Sequence, residues 1–170
     1  MKTKNDSKLG YFKIEIIDAI SPFFFDDNKK LNCLFSSLNL LKTVLPELLS
    51  YNSIYVLFSN FLNELKFSNN WIIHYIFWEM NLLREIGFDM NLTSNSVTKT
   101  NSEKNMITVS IDNEKINIPS FMVEKKFENI DMKSIYYALK FIGKFLEKNI
   151  LIPNNLKYPM PRKKLENYFK

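Results

Sequence analysis

The sequence predicts a mainly α-helical protein: a bundle of about five to seven helices with a small β-hairpin and one N-terminal strand. Apolar residues recur at spacings of three and four along most of the chain, which is typical of amphipathic helices. Alternation of apolar and polar residues, the strand pattern, is confined to residues 9–17 and 107–118. With 170 residues and 46% hydrophobic content, the chain can form one domain with a buried core.

The first third of the chain predicts one strand followed by helices. Residues 9–17 alternate and predict a strand, which needs partners because a single strand is not stable alone. Ser21 and Pro22 suit the start of a short helix. The pair Asp26 and Asp27 suits the cap of the next helix. Two helices are then predicted, over residues 30–44, where Pro46 ends the helix, and over residues 53–65.

The third helix is predicted over residues 70–86, with Asn69 or Asn70 as its cap. Its apolar arc is too wide for a surface helix, so we expect a central helix covered on several sides. Glu79 is the only acidic residue inside the apolar stretch. Since a buried carboxylate requires a partner, we predict a structural role for it.

Gly87 and Phe88 follow this helix. A glycine just past the last turn can take the left-handed conformation that ends a helix. We therefore predict that Gly87 stops the helix and that Phe88 folds back onto the core.

The second half of the chain changes character after residue 92. A Ser/Thr/Asn/Lys-rich stretch without apolar spacing predicts a mobile loop. The predicted elements are this loop at 93–104, a β-hairpin of strands 107–111 and 115–118, a helical turn at 119–125, a long helix at 131–149 and a short helix at 161–169. Gly143 lies at the edge of the apolar stripe of the long helix, where it either permits close helix contact or has no special role.

The net charge of +5 is concentrated near the C-terminus. Five of the residues from 157 onward are basic and one is acidic, namely Lys157, Arg162, Lys163, Lys164, Lys170 and Glu166. Leu165 and Phe169 would anchor the short helix there, so its basic residues are expected to project. Such a helix can neutralise phosphates. The alternative is a solvated helix C-terminus that is favourable to the helix dipole.

The sequence gives little support to catalysis. His74 is the only histidine and is expected to be packed or partly exposed. Glycines occur only at 10, 87 and 143, so no glycine-rich phosphate loop is formed. Cys33 is the only cysteine and is expected to be buried and inert. We predict no enzyme activity, no cofactor and no metal. No apolar run is long enough to span a membrane, and a cytoplasmic location is the simplest interpretation.

The segment FWEMNLLREIGFDMNL resembles a pattern of the RecO family, bacterial recombination mediators. Three more segments resemble that family in order and spacing, namely LGYFKIE, LLKTVLPELLSYNSIYVLFSNFLNEL, and NSVTK followed by ITVSIDNEKINI. The resemblance covers residues 9–170. It implies that residues 1–17 are the last strand of an N-terminal OB-fold barrel, and that residues 18–170 are the helical domain with a finger-like subdomain at 93–118.

The sequence also departs from the family pattern. Many members hold zinc with four cysteines in the finger-like subdomain, whereas Asn95 occupies the first cysteine position here. The resemblance therefore implies a finger without zinc. Most of the barrel is absent, which suggests a truncated chain or a start codon placed too late.

The resemblance implies a non-enzymatic role in DNA repair and recombination. RecO-like proteins bind single- and double-stranded DNA, anneal strands, contact the C-terminal tail of the single-stranded-DNA-binding protein, and help load RecA with RecR. The expected DNA or tail contacts are Arg162, Lys163, Lys164, Arg84 and Lys157. At family positions that contact this tail, the chain has Ile76 and Phe77 instead of arginines. The alternative is a helical protein-interaction module without DNA affinity.

Overall fold

The computed structural model describes residues 15–16, 19–92, 97–100, 105–111, 114–125, 127 and 130–170. The helices within these ranges are α1 (Asn28–Val44), α2 (Asn52–Phe67), α3 (Trp71–Glu85), α4 (Phe121–Glu124), α5 (Met132–Leu146) and α6 (Met160–Asn167). A 3-10 helix precedes α1 (Ser21–Phe24), and a π-helical turn follows α5 (Glu147–Leu151). The strands are β1 (Val97–Thr100), β2 (Met106–Ile111) and β3 (Glu114–Pro119). The predicted mainly α class with a small β element is confirmed.

Helix α1 begins and ends where its sequence signals indicate. The Asp27 carboxylate accepts hydrogen bonds from the backbone N–H groups of Lys29 and Lys30, each 3.0 Å long. These bonds satisfy donors that lack partners within the helix. The helix ends at Val44, two residues before Pro46, which cannot continue it.

Helix α3 lies at the centre of the core, as predicted, and packs against α1, α2 and α5. An aromatic cluster joins α2 to α3. Phe61 stacks on Trp78 with ring centroids 5.1 Å apart, and its ring meets that of Tyr75 edge-on at 5.8 Å. Such pairs add to the free energy gained by burying the rings.

The end of α3 has the predicted geometry. Gly87 adopts φ +93°. The N–H of Phe88 donates to the carbonyl of Leu83 at 2.8 Å, and the N–H of Gly87 donates to that of Arg84 at 3.0 Å. This bond pair is the Schellman motif, in which a glycine past the helix end satisfies its last carbonyls.

The sheet is antiparallel, with strand order β1-β2-β3. The β2–β3 hairpin confirms the predicted hairpin, with Ile107 opposite Ile118 and Val109 opposite Ile116. The prediction of a loop throughout 93–104 is wrong, since Val97–Thr100 pairs with β2. Valine and threonine favour strands, and a neighbouring strand supplies the pairing that the local sequence cannot reveal. Asn95 lies outside the described residues.

The predicted N-terminal strand falls mostly outside the described residues. Glu15 and Ile16 are described, and neither is in a strand.

Helix α5 begins at the cap residue Asp131, whose carboxylate accepts a 2.8 Å hydrogen bond from the N–H of Ser134. Hydrogen bonding from the Ser134 side chain, and then from the Ser134 N–H, lowers the pKa of Asp131. Gly143 permits a close approach on one side of α5, because an added Cβ would lie 2.5 Å from the Tyr158 hydroxyl oxygen. Among the described residues, no helix has the length and apolar character needed to cross a membrane.

Candidate functional site

The candidate site is built on α6, which packs along α1 and also contacts α5. Pro161 lies in the first turn of α6, where a missing N–H costs nothing. Leu165 is buried, whereas Lys163 and Lys164 are exposed. The helix therefore has an inner and an outer face, as its sequence predicts.

Arg162 lies on the inner face of α6, so the prediction that it projects from the surface is wrong. Its side chain is fully buried, and its Nε donates to both carboxylate oxygens of Glu79, at 2.8 and 3.1 Å. Its Nη2 donates to the backbone carbonyl of Leu139 at 2.7 Å. Glu79 thus has the partner that its burial requires, from a residue 83 positions away. No local pattern identifies such a partner.

The buried pair consists of two charged groups. Burial alone would lower the pKa of Arg162, but the adjacent Glu79 carboxylate raises it, and the net shift is upward. Burial raises the pKa of Glu79, and the Arg162 guanidinium opposes that shift. Because arginine keeps its proton at every physiological pH, the two short contacts from Nε favour an ionised carboxylate.

The surroundings of the pair are tightly packed. The Arg162 guanidinium lies 5.9 Å from the centre of the Tyr75 ring, and the Tyr75 hydroxyl is 2.8 Å from that of Ser36. Cys33 is fully buried nearby, as predicted, and burial raises the pKa of its thiol. Burial also raises the pKa of Tyr158 to about 12. The hydrogen bonds from Arg162 to Glu79 and to the Leu139 carbonyl tie α6 to α3 and α5.

Because Arg162 points inward, its neighbours Lys163 and Lys164 point outward. Lys157, in the segment that leads into α6, is exposed as well. Within the described part of the chain, none of these three ammonium groups lies within ion-pair distance of a carboxylate. They are therefore available to an external anion.

Arg84 lies elsewhere, at the exposed end of α3. It lines a groove of about 310 Å³ that we call the Arg84 groove. The lining residues are Phe77, Met80, Asn81, Arg84, Asp89, Met90, Leu92, Met122, Lys125 and Phe127. This lining does not include any residue of α6. The predicted site residues therefore divide between two surfaces.

The Arg84 groove combines an apolar floor with two cations. Phe77 and Phe127 pack edge-to-face with centroids 5.4 Å apart, and three methionines add adaptable apolar surface. Arg84 and Lys125 supply positive charge, partly offset by Asp89. Sequence reasoning missed Lys125, because only the fold brings the end of α4 to the end of α3. Ile76, in contrast, is fully buried and does not reach the groove.

The described residues do not form a recognisable catalytic site. His74 is partly exposed, and its Nε2 lies 3.4 Å from Glu64 Oε2. Among the described residues, no group of three or more His, Cys, Asp or Glu side chains could hold a metal ion.

The sequence was compared with models of protein families and with known proteins, and both comparisons point to one protein family. A family model described as "Recombination protein O C terminal" matches residues 26–157. The chain is 30% identical to DNA repair protein RecO of Ehrlichia chaffeensis over 88% of this chain and 68% of that protein. It is 26% identical to the protein of the same name from Wolbachia sp. subsp. Drosophila simulans, over 92% of this chain and 72% of that one. No solved structure matches the chain.

Proposed function

The chain belongs to the RecO family of DNA repair and recombination proteins, and from this premise we propose that it acts as a non-enzymatic recombination mediator. In this role it binds DNA through Lys163, Lys164 and Lys157, promotes strand annealing, and helps load RecA with RecR and the single-stranded-DNA-binding protein. Arg162 does not contact DNA in this proposal but holds α6 in position.

One observation carries the DNA-binding proposal. The fully buried Glu79–Arg162 pair fixes α6 so that two adjacent lysines face outward without ion-pair partners among the described residues. Ammonium groups without ion-pair partners favour phosphate binding, because they displace counterions from DNA without first breaking an internal ion pair.

The experiment is a salt titration of labelled oligothymidylate with wild-type protein and with a Lys163→Ala/Lys164→Ala variant. Each lost phosphate contact should reduce the slope of log affinity against log salt by about 0.7 for single strands. We expect a reduction of about 1.4 in the variant and weaker binding at low salt.

A Lys29→Ala/Lys42→Ala variant is the matched control. It also removes two exposed lysines, both from α1; because the Lys29 ammonium lies 5.9 Å from the centre of the Phe169 ring, just beyond α6, Lys42→Ala is also measured alone. If the two variants lower the affinity equally, binding reflects net charge and not α6. If wild-type protein shows no binding at low salt, DNA binding by this chain is refuted.

The Arg84 groove favours a second function, as a protein-interaction module. The groove suits an acidic peptide that ends in an aromatic residue, which is the character of the tail of the single-stranded-DNA-binding protein. The aromatic ring would pack among Phe77, Phe127 and the methionines, while Arg84 and Lys125 would contact acidic groups of the peptide.

Anisotropy of a labelled acidic peptide ending in phenylalanine tests this interaction. Since Arg84 is exposed, we expect Arg84→Ala and Lys125→Ala each to weaken binding by up to about fivefold. Replacing the terminal phenylalanine with alanine should weaken binding further. Unchanged affinity in an Arg84→Ala/Lys125→Ala double variant would exclude this groove as the peptide site.

A further inference from the structure

A second basic surface runs along α5, away from the groups discussed so far. Four lysines recur at spacings of seven, four and four residues, which places them on one side of the helix. We call them the α5 lysine stripe: Lys133, Lys140, Lys144 and Lys148. From Lys133 to Lys144 the stripe extends about 16 Å along the helix axis, and the π-helical turn carries it on to Lys148.

The stripe faces solvent between two neighbouring elements. On one side, Gly143 approaches Tyr158, which leads into α6. On the other side, Phe141 and Phe145 form a groove of about 290 Å³ with Ile116 of β3. The apolar face of α5 is buried in the core, so, as far as the described residues show, the stripe is the side of α5 that is left open.

The lysines of the stripe are available for binding. Lys133, Lys144 and Lys148 are exposed, and Lys140 is half-buried. In the described part of the chain, none of the four lies within ion-pair distance of a carboxylate. Glu114 lies at the edge of the stripe, in the groove with Lys144 and Lys148, and Glu147 lies between these two lysines in the sequence. The lysines still outnumber the acids, so the surface carries net positive charge.

Aromatic rings lie among these lysines. The Lys133 ammonium is 5.9 Å from the centre of the Tyr137 ring, and that of Lys140 is 5.5 Å from the centre of the Tyr136 ring. Tyr137 is 37% exposed and occupies the same side of the helix as the stripe. A basic track with accessible aromatic faces is the arrangement that binds single strands, since unpaired bases can stack on the rings while phosphates meet the cations.

We propose that the α5 lysine stripe with Tyr137 is a second nucleic-acid surface, which holds a single DNA strand. This inference rests on the proposed DNA-binding function and extends it. A strand on α5 and a strand on α6 would be held by one molecule, which is what annealing two strands requires. An anionic membrane suits the stripe less well, because the apolar face of α5 is already buried and cannot enter a bilayer.

The test compares Lys144→Ala/Lys148→Ala with the α6 variant and with Lys29→Ala/Lys42→Ala on labelled oligothymidylate. Both substituted lysines of the stripe are exposed, so the fold should be kept, and circular dichroism checks this. We expect the stripe variant to reduce the salt slope by about 1.4, as for two lost phosphate contacts, and the control to leave it unchanged.

Tyr137 provides an independent readout. Tyr137→Ala should weaken single-strand binding by about fivefold or more without changing the salt slope, because stacking is worth about 1–3 kcal/mol per base. Tyr137→Phe keeps the ring and should bind like wild type. The affinity for duplex DNA of the same length should be unchanged by Tyr137→Ala, because paired bases cannot stack on the ring.

Three results would overturn the inference. If the stripe variant binds like the α1 control while the α6 variant is weakened, the stripe is not a DNA surface and the proposed function still holds. If wild-type protein does not bind DNA at all, both fail. Binding to vesicles that contain phosphatidylserine is measured separately. If the stripe variant binds these vesicles more weakly than wild type but binds DNA equally well, the stripe is a membrane surface.

Discussion

Glu79 and Arg162 are the residues on which the orientation of α6 depends. A buried ion pair adds little stability compared with apolar residues of the same size, since both charges lose their hydration. Removing one partner is costly, because the other charge remains buried without compensation. The pair therefore acts mainly by fixing one arrangement of α6 against α3.

Arg162→Met should lower the free energy of unfolding by about 3–5 kcal/mol, because it leaves the Glu79 carboxylate buried and unpaired. Urea denaturation followed by tryptophan fluorescence measures this loss, since Trp78 lies in the core beside Glu79.

The control is the double variant Glu79→Met/Arg162→Met. With both charges removed, stability should return close to that of the wild type. If the double variant is as unstable as the single one, the loss arises from packing, and the charge explanation is wrong.

Among the elements, α3 is the one whose end depends most on a single residue. Gly87 has a backbone conformation that residues with a Cβ rarely adopt, although nothing lies within 4 Å of an added Cβ. The cost of a substitution there is consequently one of backbone strain and not of crowding.

Gly87→Ala should destabilise the protein by about 1 kcal/mol, because the alanine Cβ crowds its own backbone at φ +93°. Thermal unfolding and urea denaturation both measure this change. Gly87→Asn is the matched control. Asparagine tolerates the left-handed region better than alanine, so this variant should lose less stability. Equal losses for alanine and asparagine would contradict the backbone explanation.

The elements that the sequence predicts well are those whose signals are local. The cap at Asp27, the stop at Pro46 and the glycine at 87 each lie within a few residues of the helix end that they determine. The pairing of Val97–Thr100 depends on β2, and a local pattern does not contain this information.

At the scale of the molecule, the exposed cations discussed above form three surfaces within the described residues: α6, the Arg84 groove and the α5 lysine stripe. The sequence predicts exposed cations at Lys163, Lys164 and Arg84, which follows from charge and helix position alone. It does not predict that Arg162 is buried or that Lys125 joins Arg84, because both depend on distant segments meeting in the fold. Burial of an arginine is also rare enough that exposure is the better expectation for any single one.

The Glu79–Arg162 ion pair also affects when the domain can fold during its synthesis. A ribosome synthesises Glu79 well before Arg162, so α3 exists for a time with a carboxylate on its apolar side and no cation to meet it. Closing the core during that interval would bury an uncompensated charge, which is strongly unfavourable. We therefore expect the helical domain to stay open on the ribosome and to close cooperatively once Arg162 leaves the exit tunnel.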